Sequence, residues 1–232
     1  MHDGEMVGAV LVAAGRSTRM GFDKLWADLN GRPVLAWSLE ALARCSAIDR
    51  LVVVTSADRH DDAWGMVGRL APARLRARTV LGGARRRDSV AAGLAALAEC
   101  TWVLVHDAAR PFLSDAAIRR GLDEVRRTGA CVAALPARDT IKRVAPDGTV
   151  LETPPREQLW TVQTPQVFRR DLVLAALAAT DEDATDEAGL VERFGGAVRV
   201  FEGDVTCFKI TTPDDLEIAR SLLLRQTRPA GW

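Results

Sequence analysis

The sequence predicts an α/β fold: a doubly wound, mixed but mainly parallel sheet covered by helices, with a β-hairpin arm protruding from it. Continuous apolar runs ending in small or polar residues alternate with longer amphipathic stretches, the mark of parallel strands buried on both faces. That alternation breaks once, after Pro136, where two short strand-like pieces flank a turn. A length of 232 residues, 48% of them hydrophobic, suits one domain spanning 1–232, with the arm at about 137–158.

From the amino end, apolar runs predict strands at 8–13, 51–55, 78–81, 102–106 and 131–135. Amphipathic stretches predict helices at 34–44, 61–70, 89–100 and 114–128, the last with Ser114 as N-cap and Gly129 as stop. The arm is read from pieces at 140–144 and 149–153 around Ala145-Pro146-Asp147-Gly148, a turn sequence. Those pieces are too polar to supply a core, so the arm is expected to find its partner elsewhere. The α/β pattern then returns. It gives a strand at 160–162, a helix from Arg169, and a helix capped by Thr185 with Asp186 and Glu187 in its first turn. Strands at 198–202 and 207–210 and a helix from Pro213 complete it, with a frayed tail after Gln226.

Composition narrows the function classes. Basic and acidic residues balance at 31 each, so no overall field draws the chain to nucleic acid or to an anionic membrane. Of the 31 basic residues only Lys24, Lys142 and Lys209 are lysine, which singles these three out. Cys45, Cys100, Cys131 and Cys207 lack any C-x-x-C spacing, and His2, His60 and His106 add no metal-ligand pattern. Reduced, buried thiols in a cytoplasmic protein are the expectation. The apolar run at 7–14 is too short to span a bilayer.

The first predicted strand runs straight into a loop at 14–24. In an open parallel sheet, ligands sit beyond the carboxyl ends of the strands. Small residues at the start of this loop expose backbone N–H groups, and Arg19 and Lys24 add charge suited to a polyphosphate. Neither G-x-G-x-x-G nor G-x-x-x-x-G-K-[ST] is present, so this is neither a dinucleotide loop nor a P-loop.

The loop resembles the signature of nucleotidyltransferases that activate sugars and alcohols. The chain from about residue 7 to 224 is similar to the 2-C-methyl-D-erythritol 4-phosphate cytidylyltransferase family. The blocks that carry the likeness begin with Ala13-Ala14-Gly15, Arg19-Met20-Gly21 and Lys24, followed by Gly82-Gly83 with Arg86 and Asp88-Ser89-Val90. Val105-His106-Asp107-Ala108-Ala109-Arg110-Pro111 and Arg138-Asp139-Thr140-Ile141-Lys142 come next, then Arg156, Leu159-Trp160 and Gln163-Thr164-Pro165-Gln166. Thr185-Asp186-Glu187-Ala188, Lys209-Ile210-Thr211 and Pro213-Asp214-Asp215-Leu216 complete the set in the family's order. The stretch between Gly21 and Lys24 is shorter than in many members, and Leu25 stands where Gln is common.

The resemblance implies a Rossmann-like nucleotidyltransferase fold and transfer of CMP from CTP to methylerythritol phosphate, with release of pyrophosphate, in isoprenoid precursor synthesis. It implies Arg19, Lys24 and Lys209 as the catalytic cations. It gives Asp107, Arg110, Thr140, Arg156 and Thr164 to the polyol phosphate. The nucleotide falls to Ala13, Ala14, Gly15, Gly82, Gly83, Ser89 and Ala108. Mg²⁺ would be held mainly by the CTP phosphates, with Asp107 reached through water, and the arm would clasp a second subunit in a homodimer. Three rivals share parts of the pattern: a ribitol 5-phosphate cytidylyltransferase, a molybdenum-cofactor guanylyltransferase, and a non-catalytic nucleotide-binding module. The guanylyltransferases usually carry Gly-Gly at Ala13-Ala14 and lack the 107–111 block; a non-catalytic module would be expected to have lost Lys24 or Lys209.

Other features read as structural. Arg85, Arg86 and Arg87 look like a solvated helix entrance. His106 and Asp107 are strand neighbours that point to opposite faces, so they are no dyad.

Overall fold

The computed structural model describes residues 5–15 and 22–227. Its centre is a seven-stranded sheet. The strands are β1 (Val7–Ala13), β4 (Arg50–Thr55), β5 (Arg76–Leu81), β6 (Trp102–Asp107), β7 (Ala130–Pro136), β10 (Trp160–Arg169) and β11 (Arg199–Glu202). They lie in the order β11-β7-β10-β6-β1-β4-β5, and only β10 runs antiparallel to its neighbours. Because strand side chains alternate, the two faces bury different residues. Val7, Ala9, Leu11, Leu51, Val53 and Leu104 pack on one face; Val10, Val52, Val54, Val103 and Val105 pack on the other.

Helices cover both faces. The first layer contains α1 (Val34–Arg44), α2 (His60–Leu70) and α4 (Asp115–Thr128), which contribute Leu35, Leu39, Met66, Ile118 and Leu122. The second contains α3 (Arg86–Ala95), α5 (Arg170–Ala179) and α6 (Glu187–Arg193), with Val90, Leu94, Val173, Leu190 and Val191. A smaller core of Leu29, Val34, Ile210, Leu216 and Leu223 seats α7 (Pro213–Thr227). The Ser114 cap and Gly129 stop are observed: Ser114 Oγ accepts from Ala117 N–H at 3.0 Å, and Gly129 takes φ +81°.

The arm is the hairpin β8 (Arg143–Val144) and β9 (Val150–Glu152), with Gly148 at φ +87° in its turn. A second hairpin, β2 (Asp28–Leu29) and β3 (Arg32–Pro33), turns at Asn30 and Gly31, both with positive φ. It was not expected, although Asn-Gly is a strong hairpin signal.

Four expectations need correction. The helix expected at 89–100 starts at Arg86, because the Asp88 carboxylate reaches back to accept from the Arg85 backbone N–H at 3.1 Å and from its guanidinium. The strand expected at 160–162 continues to Arg169. Residues 207–210 form no strand; Ile210 N–H instead bonds the Ala109 carbonyl at 2.9 Å. The cap of α6 is Asp186 rather than Thr185, with its carboxylate accepting from Gly189 N–H at 2.9 Å.

Where α3 crosses the sheet, a Cβ on Gly93 would lie 2.5 Å from Val10 Cγ1 and 2.9 Å from Val54 Cγ2. Both are short branched side chains that cannot swing aside. Gly93→Ala should therefore destabilise the protein by about 1–3 kcal/mol despite alanine's better helix propensity. Urea unfolding checks this; a variant as stable as the parent would show that the helix rides free of the sheet.

Candidate active site

The sheet order reverses between β1 and β6, and in open α/β sheets the crevice at that reversal receives ligands. β1 ends at Ala13 and β6 ends on Asp107. The loop after β5 closes on them from the side. A Cβ on Gly82 would sit 2.4 Å from the Ala14 Cβ and 2.7 Å from Ser89 Oγ, so the absence of a side chain there lets the two loops meet. Ser89 Oγ accepts from Gly83 N–H and donates to the Arg85 carbonyl, both at 3.2 Å. Ala14, Gly82, Gly83 and Ser89 thus come together at one rim, next to the exposed Gly15. Ala108 is fully buried, its N–H on the Val12 carbonyl at 3.1 Å.

Beside this rim lies a cleft of about 220 Å³, lined by Asp107, Arg110, Thr164 and Lys209 together with Arg86, Val162, Gln163, Gln166, Thr185 and Asp186. A larger hollow of about 350 Å³ opens near the amino ends of β4 and β5, among Arg50, Arg76, Arg78 and Glu99. The smaller cleft is the candidate, because it stands at the strand carboxyl ends with the converging charges.

Asp107 organises that cleft. Its Oδ2 accepts from Lys209 Nζ at 2.7 Å, its Oδ1 from Arg86 Nη2 at 3.3 Å, and Arg110 Nε stands 3.8 Å from Oδ2. Burial alone would push this carboxyl up, but Lys209, Arg86 and Arg110 outweigh it and hold it far below the usual carboxylate range. Arg110 is itself fixed by a bond from Nη1 to the Cys207 carbonyl at 2.9 Å.

The family model of IspD, described as 2-C-methyl-D-erythritol 4-phosphate cytidylyltransferase, matches residues 7–225. The chain belongs to this family. A relative of that name in Dehalococcoides mccartyi is 45% identical over 220 residues, covering 94% of this chain and 96% of the relative. The 4-diphosphocytidyl-2C-methyl-D-erythritol synthase of Anaerococcus prevotii is 30% identical, with a TM-score of 0.86, covering 96% of this chain and 100% of that one. The Thermus thermophilus cytidylyltransferase structure gives a TM-score of 0.75 at 35% identity, covering 94% of this chain and 98% of that one.

Within this IspD chain, Asp107, Arg110, Thr164 and Lys209 share one cleft, while Thr140 and Arg156 do not line it. Both of the latter are exposed near the ends of the arm, with Arg156 Nη1 on the Arg138 carbonyl at 2.9 Å. Lys24 is half-buried in a turn closed by Trp26 N–H on the Asp23 carbonyl at 3.1 Å. Arg19 lies outside the described residues.

The arginine run is not a solvated helix entrance. Arg86 bridges Asp107 and Glu187, Arg87 donates to the Leu177, Thr180 and Glu182 carbonyls, and Arg85 pairs with Asp88 and Asp181. Arg86 and Glu187 were both visible within family blocks, but a charge run and a helix cap offered sufficient local explanations.

His106 has the structural part expected of it. Burial pushes its pKa down to about 4 from 6.5, so the ring is neutral at pH 7. Nε2–H then donates to the Arg110 carbonyl at 3.1 Å, and Nδ1 accepts from the Thr164 hydroxyl at 2.8 Å. The same hydroxyl accepts from Asp107 N–H at 3.2 Å. Between 6.5 and about 4 the unfolded chain binds a proton that the folded ring refuses. The stability contributed by the neutral ring is present above that window and lost as pH falls through it, by about 3 kcal/mol. Unfolding free energies of the parent and His106→Asn should therefore converge on acidification. Parallel curves would show that the ring takes up its proton inside the fold.

Proposed function

We propose that this chain transfers CMP from CTP to 2-C-methyl-D-erythritol 4-phosphate, releasing pyrophosphate, in the non-mevalonate route to isoprenoid precursors. The observation that carries the reading is the buried Asp107 with Lys209, Arg86 and Arg110 around it, at the sheet reversal and beside the glycine-bearing rim. An oxygen of the acceptor phosphate attacks the α-phosphorus of CTP in line. The bond to the β-phosphate bridging oxygen breaks, pyrophosphate departs, and a new phosphoric anhydride remains. The nucleophile is already anionic at neutral pH, so the work is positioning and charge stabilisation rather than proton abstraction.

In this reading Arg19 and Lys24 hold the triphosphate, and Lys209 stabilises charge developing at the α-phosphate. Ala13, Ala14, Gly15, Gly82, Gly83, Ser89 and Ala108 form the nucleotide side. Asp107, Arg110 and Thr164 face the acceptor. Mg²⁺ would take oxygen ligands and keep several waters. Among the described residues no group of three or more His, Cys, Asp or Glu could hold a metal ion. In this reading the ion would be carried mainly by the triphosphate, with Asp107 reached through water. When bound, that ion neutralises phosphate charge. The four buried, free thiols support a reducing, cytoplasmic setting. Pyrophosphate release with CTP or GTP, crossed against methylerythritol 4-phosphate and ribitol 5-phosphate, tests the reading. CTP with methylerythritol 4-phosphate should dominate; equal specificity constants for GTP and CTP would overturn the nucleotide assignment.

The arm extends this reading to a second copy. Ile141, Val144, Val150, Leu151 and Trp160 are exposed on or beside it, an apolar surface its own chain leaves uncovered. Thr140 and Arg156 at its ends belong, in this reading, to a neighbour's cleft, giving a two-fold dimer with shared sites. Inactive Lys24→Ala chains mixed and reassembled with inactive Arg156→Ala chains should then recover roughly a quarter of parental activity, since half the dimers are mixed and half their sites intact. Proven subunit exchange without recovery would return Arg156 to its own chain.

A further inference from the structure

The least exposed carboxyl bonded to the cleft's cations belongs to a residue outside its lining. The Glu187 side chain is 1% exposed, at the start of α6; its Oε1 accepts from Arg86 Nη1 at 2.6 Å, while Oε2 has no hydrogen-bond partner. The other end of the same guanidinium donates to Asp107 Oδ1 at 3.3 Å. Burial raises the Glu187 carboxyl above the usual carboxylate range and the Arg86 guanidinium opposes that rise; with Lys209 the connected groups run from the interior to the cleft mouth as Glu187, Arg86, Asp107, Lys209. Each member comes from a different part of the chain. Removing one partner from a buried pair leaves an uncompensated charge, so the row behaves as a unit.

We infer that Arg86 and Glu187 are a positioning pair: Glu187 fixes the Arg86 guanidinium so that its far edge holds the Asp107 carboxylate on the acceptor wall. The pair also latches two sides of the site together. Arg86 opens α3, three residues after the rim glycine Gly83, whereas Glu187 opens α6, directly after Thr185 and Asp186 of the cleft lining. Arg85 and Arg87 reinforce the latch by gripping residues 177–182 through Asp181 and three backbone carbonyls. Arg86 meets the two carboxylates with two separate nitrogens of one planar group, an arrangement that the single nitrogen of a lysine does not reproduce.

This inference rests on the proposal that Asp107 faces the acceptor, and it separates the two substrates kinetically. Glu187→Gln and Arg86→Met keep approximate shape while removing charge. Each should lower kcat/KM for methylerythritol 4-phosphate about tenfold or more, with KM for CTP changed less than about twofold. The double variant Arg86→Met/Glu187→Gln should be no worse than either single one, since the pair acts as a unit. It also leaves no unpaired buried charge, so it covers the case in which a single variant folds poorly. CTP binding measured by calorimetry gives the fraction of correctly folded sites. Parallel loss toward both substrates, effects that multiply in the double variant, or full kinetics in the folded fraction would each overturn the pair's role. A parent protein that fails to turn over methylerythritol 4-phosphate would sink the functional reading and the pair's role together, and is recognised before any variant is assayed.

Discussion

A carboxylate taken out of water must be paid for by nearby positive charge, and Asp107 is a carboxylate held below the usual ionisation range although it is only 8% exposed. Three side chains meet that demand from three places: Arg86 at the start of α3, Arg110 in the loop after β6, and Lys209 in the extended segment before α7. None of them is adjacent to another in sequence. The reversal of strand order beside β6 provides an opening where groups from both halves of the sheet can converge.

The single antiparallel strand contributes the remaining wall. Because β10 runs against β6, its early residues stand at the carboxyl end of β6, level with Asp107. A register shift between Val162 and Gln166 interrupts the usual alternation there. Gln163, Thr164 and Gln166 can consequently all turn to polar partners: the Asp204 carbonyl, His106 and the Asp186 carboxylate. The same antiparallel pairing explains where the arm emerges. Pro136 at the end of β7 pairs with Trp160 at the start of β10, so the intervening chain leaves and re-enters the sheet at the carboxyl ends of its parallel strands.

Much of this architecture was legible because its signals are local. Strands such as 51–55 and 102–106 are apolar up to a final polar residue, since both of their faces are covered. Ser114 and Gly129 mark a helix by chemistry contained within a turn. The rest depended on distant partners. Polar residues hid most of β10, and the 207–210 segment, apolar enough for a strand, finds no strand to pair with. Whether Arg86 is solvated is decided by Glu187, 101 residues away, and local charge patterning carries no information about that distance. The family blocks did identify Asp107, Arg110, Thr164 and Lys209 as candidates, and these do share a cleft; they could not reveal which cation would be locked to protein carboxylates.

That distinction gives a physical meaning to the scarcity of lysine. Arg86 spends its fork on two carboxylates, and Arg110 has one nitrogen on a carbonyl and another directed at Asp107. Both are rigid planar groups suited to holding a carboxylate in one orientation. Lys209 is different: its ammonium carries three donors on a flexible stem, one of which reaches Asp107, and its side chain remains 36% exposed at the cleft. An arginine there would offer a wider, flatter group with less freedom to follow a moving phosphate. Around Asp107, then, Arg86 and Arg110 supply the fixed part of the electrostatics and Lys209 the adjustable part at the cleft surface, a division that keeps the buried carboxylate preorganised while leaving one cation free to move.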